Sequence, residues 1–205
     1  MRGRDMRFAS ETRRQLAVFG MVLLALSFPP ALAAGEDSAQ GVTERFHKVL
    51  LQAAGLEMIG DREALLEPAI AEAFDVERIA SVSLGRTWKG LGEAERTEFT
   101  ELLAALIVAT YADRFDRYTG QRFVTDRVEA VRTGFVVYTT LERPGNSSVS
   151  LNYFLRDGGI FNVVADGVSD LSLRRADYNS IVKKEGYASL LAHLRNKIKQ
   201  ARDQQ

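Results

Sequence analysis

The chain has 205 residues, with 27 basic and 27 acidic side chains, a formal net charge of zero and no cysteine. Without cysteine there is no disulfide, no thiol nucleophile, no cysteine metal site and no acylated lipoprotein anchor. A neutral chain also lacks the basic surface that phosphate neutralisation needs, so nucleic acid is excluded as a partner.

The N-terminus has the order of a secretory signal peptide. Arg2, Arg4, Arg7, Arg13 and Arg14 stand against only Asp5 and Glu11, and no charge follows from Gln15 to Gly35. The apolar core runs from Leu16 to Leu26, Pro29-Pro30 breaks it, and Ala31-Leu32-Ala33 supplies small residues for cleavage after Ala33. A retained anchor is the alternative, but the run before the prolines is shorter than the roughly 20 apolar residues a span needs. Arg13-Arg14 loosely resembles a twin-arginine signal, which leaves the export route open. Such a leader takes three net positive charges with it, leaving 172 residues at a net charge of −3. That is one ordinary domain, exported and of bacterial type, large enough for a core. Residues 34–41 are small and polar and are expected to be a disordered start.

The domain is expected over 42–205, with a helical part at about 42–120. Val42, Phe46, Val49, Leu50 and Ala53 recur at helical spacing. Asp61 is placed as the N-cap of a short second helix that Pro68 interrupts or kinks, and Asp75 as the cap of a third that ends at Gly85. Glu93 to Tyr118 has the strongest amphipathic pattern, with Phe99, Leu102, Leu103, Leu106, Ile107, Thr110, Tyr111, Phe115 and Tyr118 on one broad face, and is expected to end at Gly120.

The period then changes to two. Strands are expected near 123–131, 135–143, 149–155 and 160–165, with turns at Pro144-Gly145-Asn146 and Asp157-Gly158-Gly159. Four sequential strands with short connections form an antiparallel meander at about 122–167. C-terminal helices follow at about 174–202. They are a short one from Ala176 to Lys184, stopped at Gly186, and a last one with Tyr187, Leu190, Leu191, Leu194 and Ile198 on one stripe. Helices, then a curved antiparallel sheet of four or slightly more strands, then helices make an α+β fold.

The residues offer no catalytic set. His47 and His193 are the only histidines and lie in no metal motif, so both are placed at surface or boundary positions. The acids are dispersed, and no nucleophile elbow or phosphate loop occurs. No cofactor and no metal are expected. A long apolar helix facing a curved sheet can close over a solid core or enclose a cavity, and periodicity does not distinguish the two.

Several phrases form an ordered set. They are Leu84-Gly85-Arg86-Thr87-Trp88, Thr110-Tyr111-Ala112, Asp166-Gly167-Val168-Ser169, Arg175-Ala176-Asp177-Tyr178, and Gly186-Tyr187 leading to Leu190-Leu191. In order and spacing they resemble the MlaC-type periplasmic lipid-binding family, also called toluene-tolerance auxiliary proteins, over roughly 42–200. The family often has a tryptophan and an aspartate where Gly158 and Asn162 stand, and a glutamate where Asp166 stands. Ser169 to Tyr178 is closer to a branch associated with hopanoid biosynthesis, so the resemblance leaves phospholipid and hopanoid both open as ligand.

The resemblance implies a fold similar to nuclear transport factor 2 with a helical subdomain, and a non-catalytic monomer. It would carry lipid through the periplasm between an inner-membrane ABC/MCE-type transporter complex and an outer-membrane lipoprotein complex. The lipid's apolar part would lie between helix and sheet. The inner stripes then offer Leu84, Leu103, Leu106, Ile107 and Tyr111 from the helices, and Val137, Leu151 and Tyr153 from the sheet. Arg86, Arg175 and Tyr178 match motif positions, and a structural role, an arginine paired with a carboxylate, is expected there. Two other classes stay open: an isomerase or dehydratase on the same fold, which needs a convergent polar set in the cavity, and an adaptor with a filled core.

Overall fold

The computed structural model describes residues 30–203. The signal-peptide core lies outside them. Seven helices and five strands follow in the order α1 (Pro30–Ala53), α2 (Ile59–Ala73), α3 (Val76–Leu84), α4 (Arg86–Gly90), α5 (Glu93–Arg114), β1 (Arg122–Val131), β2 (Gly134–Glu142), β3 (Val149–Arg156), β4 (Gly159–Ala165), β5 (Val168–Ser169), α6 (Asp170–Glu185) and α7 (Tyr187–Asp203). No helix among the described residues is long and apolar enough to cross a membrane.

The strands pair in sequence order, β1-β2-β3-β4-β5, each antiparallel to the next, in one open curved sheet. Leu141 faces Val149, Thr139 faces Leu151, and Val137 faces Tyr153. Leu151 and Tyr153 in turn pair with Ala165 and Val163 of β4. Because side chains alternate between faces along a strand, this register gathers these apolar residues on one side. α1 lies over β1 and β2, α6 packs on β4, and α5 packs on α2, α3 and α7 rather than on the sheet. At the β1–β2 turn Gly134 has φ of +141°, and a Cβ there would meet the Leu155 carbonyl oxygen, so glycine is required on both counts.

Several local expectations are revised. Residues 34–41, expected to be disordered, belong to α1, where Thr43 is buried and its hydroxyl donates to the Ala39 carbonyl at 3.0 Å. Asp61 lies in the first turn of α2, whose N-cap is Met58, and the helix runs through Pro68 without a break, held by buried Leu66, Ile70 and Ala73. α6 starts at Asp170 rather than Ala176, because the Ser169 hydroxyl accepts from the Ser172 amide and serves as the N-cap. β5 is a two-residue fifth strand that the sequence pattern did not register.

α5 stops at Arg114, short of Tyr118. The chain beyond it is folded by the Gln121 side chain, which accepts from the Thr119 amide and donates to the Arg117 carbonyl at 2.6 Å. The Ala112 carbonyl, which has no helical donor to accept from, takes the Arg62 Nε–H at 2.8 Å.

Asp75 caps α3 as expected. Its carboxylate accepts from the Arg78 amide at 2.9 Å and pairs with Arg78 Nε at 2.7 Å, while its own amide donates to the Ile160 carbonyl at the start of β4. Asp75→Ala is expected to cost about 1 kcal/mol, the usual value of a lost N-cap, read as a lower urea midpoint at unchanged slope.

Candidate functional site

Between the C-terminal half of α5 and the inner face of β2–β4 lies a cavity of about 450 Å³. α5 contributes Ile107, Thr110, Tyr111 and Arg114, at positions three or four apart that share one helix face. The sheet contributes Leu141, Val149, Leu151, Tyr153, Phe161, Val163 and Ala165. Phe74, Ile79, Phe115 and Gln121 complete the helical wall, and Val168, Asp170, Leu173 and Arg174 come from β5 and the first turns of α6. The lining is mainly apolar with few polar groups, the usual make-up of a small-molecule pocket.

Aromatic rings support part of the wall. Tyr111 meets Phe46 edge-on at 5.2 Å and lies 6.3 Å from Phe115, which stacks with Phe123 at 6.1 Å. His47 stacks on Phe123 at 3.8 Å and approaches Tyr153 edge-on at 5.0 Å. These contacts fix the rings in place and leave the two tyrosine hydroxyls as the polar groups of this aromatic stretch. Burial raises the pKa of Tyr111, with Asp170 adding to the rise and Arg114 and Arg174 opposing it. Burial also raises that of Tyr153, and the nearby Tyr111 adds to it. Both phenols are therefore neutral hydrogen-bonding groups at physiological pH.

The opening is both apolar and charged. Val168 and Leu173 line the cavity yet are 52% and 59% exposed. Arg174 is held by Asp170 at 2.6 Å and donates to the Tyr178 hydroxyl at 3.1 Å. Asn162 accepts from the Ser169 hydroxyl and the Leu171 amide, and so anchors the start of α6 to β4.

Of the eight residues drawn from the inner stripes, Ile107, Tyr111, Leu151 and Tyr153 line this cavity. Leu84, Leu103, Leu106 and Val137 do not; all four are buried core. Val137 lies beside Tyr153 in register, but on β2, which α1 covers. Leu103 and Leu106 belong to the helix α5, which packs on α2, α3 and α7. The arginine expectation is corrected as well. Arg86 and Arg175 are exposed and carry no carboxylate partner among the described residues, and the paired arginine is Arg174. His47 is not a boundary residue but 4% exposed, within the aromatic run. His193 does sit at the boundary, 3.7 Å from Asp177.

Pattern reading missed the contributions of β4, β5 and α6. Phe161 and Asn162 are adjacent in sequence and both line the cavity, which strict alternation does not anticipate; the register shift at Phe154/Leu155 in the neighbouring strand locates the irregularity. The Val168 to Arg174 segment has too weak an apolar stripe to be noticed as a wall.

A helical layer held off a curved antiparallel sheet by an apolar cavity defines an α+β fold with room for a ligand. The chain belongs to the MlaC protein family, whose profile matches residues 40–196. No curated relative matches the sequence. Among solved structures it is similar to the phospholipid-binding protein from Ralstonia solanacearum in complex with a phospholipid, with a TM-score of 0.70 and 16% identity over 82% of this chain and 98% of that one.

Proposed function

We propose that this chain is a periplasmic lipid carrier, holding the apolar part of a phospholipid in the cavity between α5 and the sheet. The observation that carries the reading is the apolar cavity, lined on one side by Ile107 and Tyr111 and on the other by Leu151 and Tyr153, in a chain of the MlaC family. The phospholipid complex of the similar Ralstonia protein supports the ligand class. The basic, apolar and small-residue order of residues 1–33 supports export with cleavage near Ala33. Cleavage there would shorten α1 by its first four residues and leave its core contacts at Phe46, Leu50 and Ala53 in place. The partners that fit this reading are an inner-membrane ABC/MCE-type transporter complex and an outer-membrane lipoprotein complex, with the carrier as the soluble link.

The energetics favour a carrier. Burying one methylene contributes about 0.8 kcal/mol, so a long acyl chain costs on the order of 12 kcal/mol to expose to water. An apolar cavity removes most of that barrier. An enzymatic reading finds less support. Among the described residues no histidine lines the cavity, and the single carboxylate there, Asp170, is engaged by Arg174.

Native mass spectrometry of the protein from its own periplasm, followed by lipid extraction, tests the proposal. A bound mass matching a phospholipid is expected. Recovery of empty protein that also takes up no labelled lipid from vesicles would overturn it. Substitution separates wall from core. Leu151→Trp is expected to fill the cavity and abolish lipid uptake with the circular dichroism spectrum retained. Leu106→Trp and Val137→Trp should instead lose about 1–3 kcal/mol of stability by overpacking.

A further inference from the structure

Three arginines and one aspartate line the cavity, a net of two positive charges on an otherwise apolar wall. They are not equivalent. Arg174 has a side chain only 12% exposed and is satisfied by Asp170 at 2.6 Å and the Tyr178 hydroxyl at 3.1 Å, so this arginine and its aspartate cancel. Arg114 and Arg143 are exposed. Arg114, in the last turn of α5, has no carboxylate partner among the described residues. Arg143, just beyond β2, donates through Nε and Nη2 to the Ser147 carbonyl, which orients its guanidinium without neutralising it.

Resting on the carrier reading above, we infer that Arg114 and Arg143 form a cationic collar at the cavity mouth that selects lipids whose phosphate head carries net negative charge over zwitterionic ones. Guanidinium groups suit this task because their planar donors match phosphate oxygens in pairs, and they keep their charge at any physiological pH. The neighbouring Tyr111 hydroxyl, whose titration responds to Arg114 and Arg174, adds a donor on the cavity side. A zwitterionic head brings its own ammonium to the collar and loses part of the attraction; a phosphate with an uncharged substituent does not. Exposed pairs of this kind are individually weak, so two arginines together are expected to give a preference of about fivefold rather than absolute exclusion.

The test is uptake from mixed vesicles containing equal amounts of phosphatidylglycerol and phosphatidylethanolamine with identical acyl chains, read as the ratio of the two bound masses. Both lipids sit in the same vesicle, so attraction of the protein to an anionic surface does not bias the ratio. Wild type is expected to favour phosphatidylglycerol about fivefold near 0.1 M salt and less at 0.5 M, where screening shortens to a few ångströms. The Arg114→Gln/Arg143→Gln variant should bring the ratio near one, and Arg114→Lys/Arg143→Lys, which keeps the charge, should retain most of the preference. Equal uptake by wild type, or an unchanged ratio in the glutamine variant with a native circular dichroism spectrum, would overturn the collar while leaving the carrier standing. No uptake of either lipid would overturn the carrier reading itself.

Discussion

Replacing Arg62 with methionine is expected to lower the unfolding free energy by about 2–3 kcal/mol. Arg62 is fully buried, yet its partners are carbonyls rather than a carboxylate. Nε donates to Ala112 at 2.8 Å, and Nη1 donates to Leu56 at 2.8 Å and Glu57 at 2.9 Å. The first acceptor is one of the last carbonyls of α5, where a cation is favoured by the helix dipole, and the other two belong to the loop between α1 and α2. One side chain of α2 therefore ties the end of the helix that carries Tyr111 and Arg114 to the α1–α2 loop. Methionine fills a similar volume but leaves the buried Ala112 carbonyl without a donor and gives up the two part-buried loop carbonyls, offset in part by removal of a buried cation whose Nη2 has no partner among the described residues. Hydrogen bonds to a charged group contribute about 1.5–3 kcal/mol each, and stranded buried acceptors add their desolvation. Urea denaturation should show the midpoint falling with little change in slope. Arg62→Lys should recover only part of the loss, since a single ammonium has no fork to reach both helix end and loop. A loss below about 1 kcal/mol in the methionine variant would mean that water replaces the guanidinium and that the cation is not what holds α5.

The second large effect is acid sensitivity through His47. Burial among Phe123 and Tyr153 lowers its pKa from 6.5 to about 3. Its Nε2 is buried with no hydrogen-bond partner among the described residues, so nothing there stabilises a proton. The unfolded chain binds a proton near pH 6.5, whereas the folded chain resists it until about pH 3. Stability from this group is thus complete above pH 6.5 and falls as pH drops through that window, by up to about 1.4 kcal/mol per unit. Between pH 7 and pH 4 the loss is on the order of 3 kcal/mol. His47→Phe keeps an aromatic ring against Phe123 and has no proton to gain. The difference in unfolding free energy between variant and wild type should therefore grow as pH is lowered from 7 to 4, the remaining titrating groups being common to both. A difference that stays constant over that range would show that His47 is not the acid-sensitive group.

The sequence reading and the structure agree where a local pattern is sufficient and part where it is not. Asp75 was legible as a cap because a carboxylate before a helical stripe has one favourable use, the amide three residues on. The four main strands were legible because Val137, Thr139, Leu141, Leu151 and Tyr153 keep period two. The end of α5 was not legible. The apolar stripe continues past Arg114, and what terminates the helix is a distant arginine and a glutamine that folds the following turn. The wall of the cavity was half legible. Ile107, Tyr111, Leu151 and Tyr153 were found because they face inward, but so do Leu84, Leu103, Leu106 and Val137, which meet other helices instead of open space.

The amino-acid sequence by itself determined the class of fold, the order of its elements, the family phrases and the set of side chains that face inward. Those follow from spacing along a single chain, which sets faces on helices and strands. Only the tertiary structure decided which inward residues border a cavity, which of its lining arginines is paired with a carboxylate and which two have none among the described residues, and that His47 is enclosed. These depend on distances between elements far apart in sequence. The α5–sheet separation in particular results from α5 packing on α2, α3 and α7, a relation that no periodicity within α5 or the strands encodes.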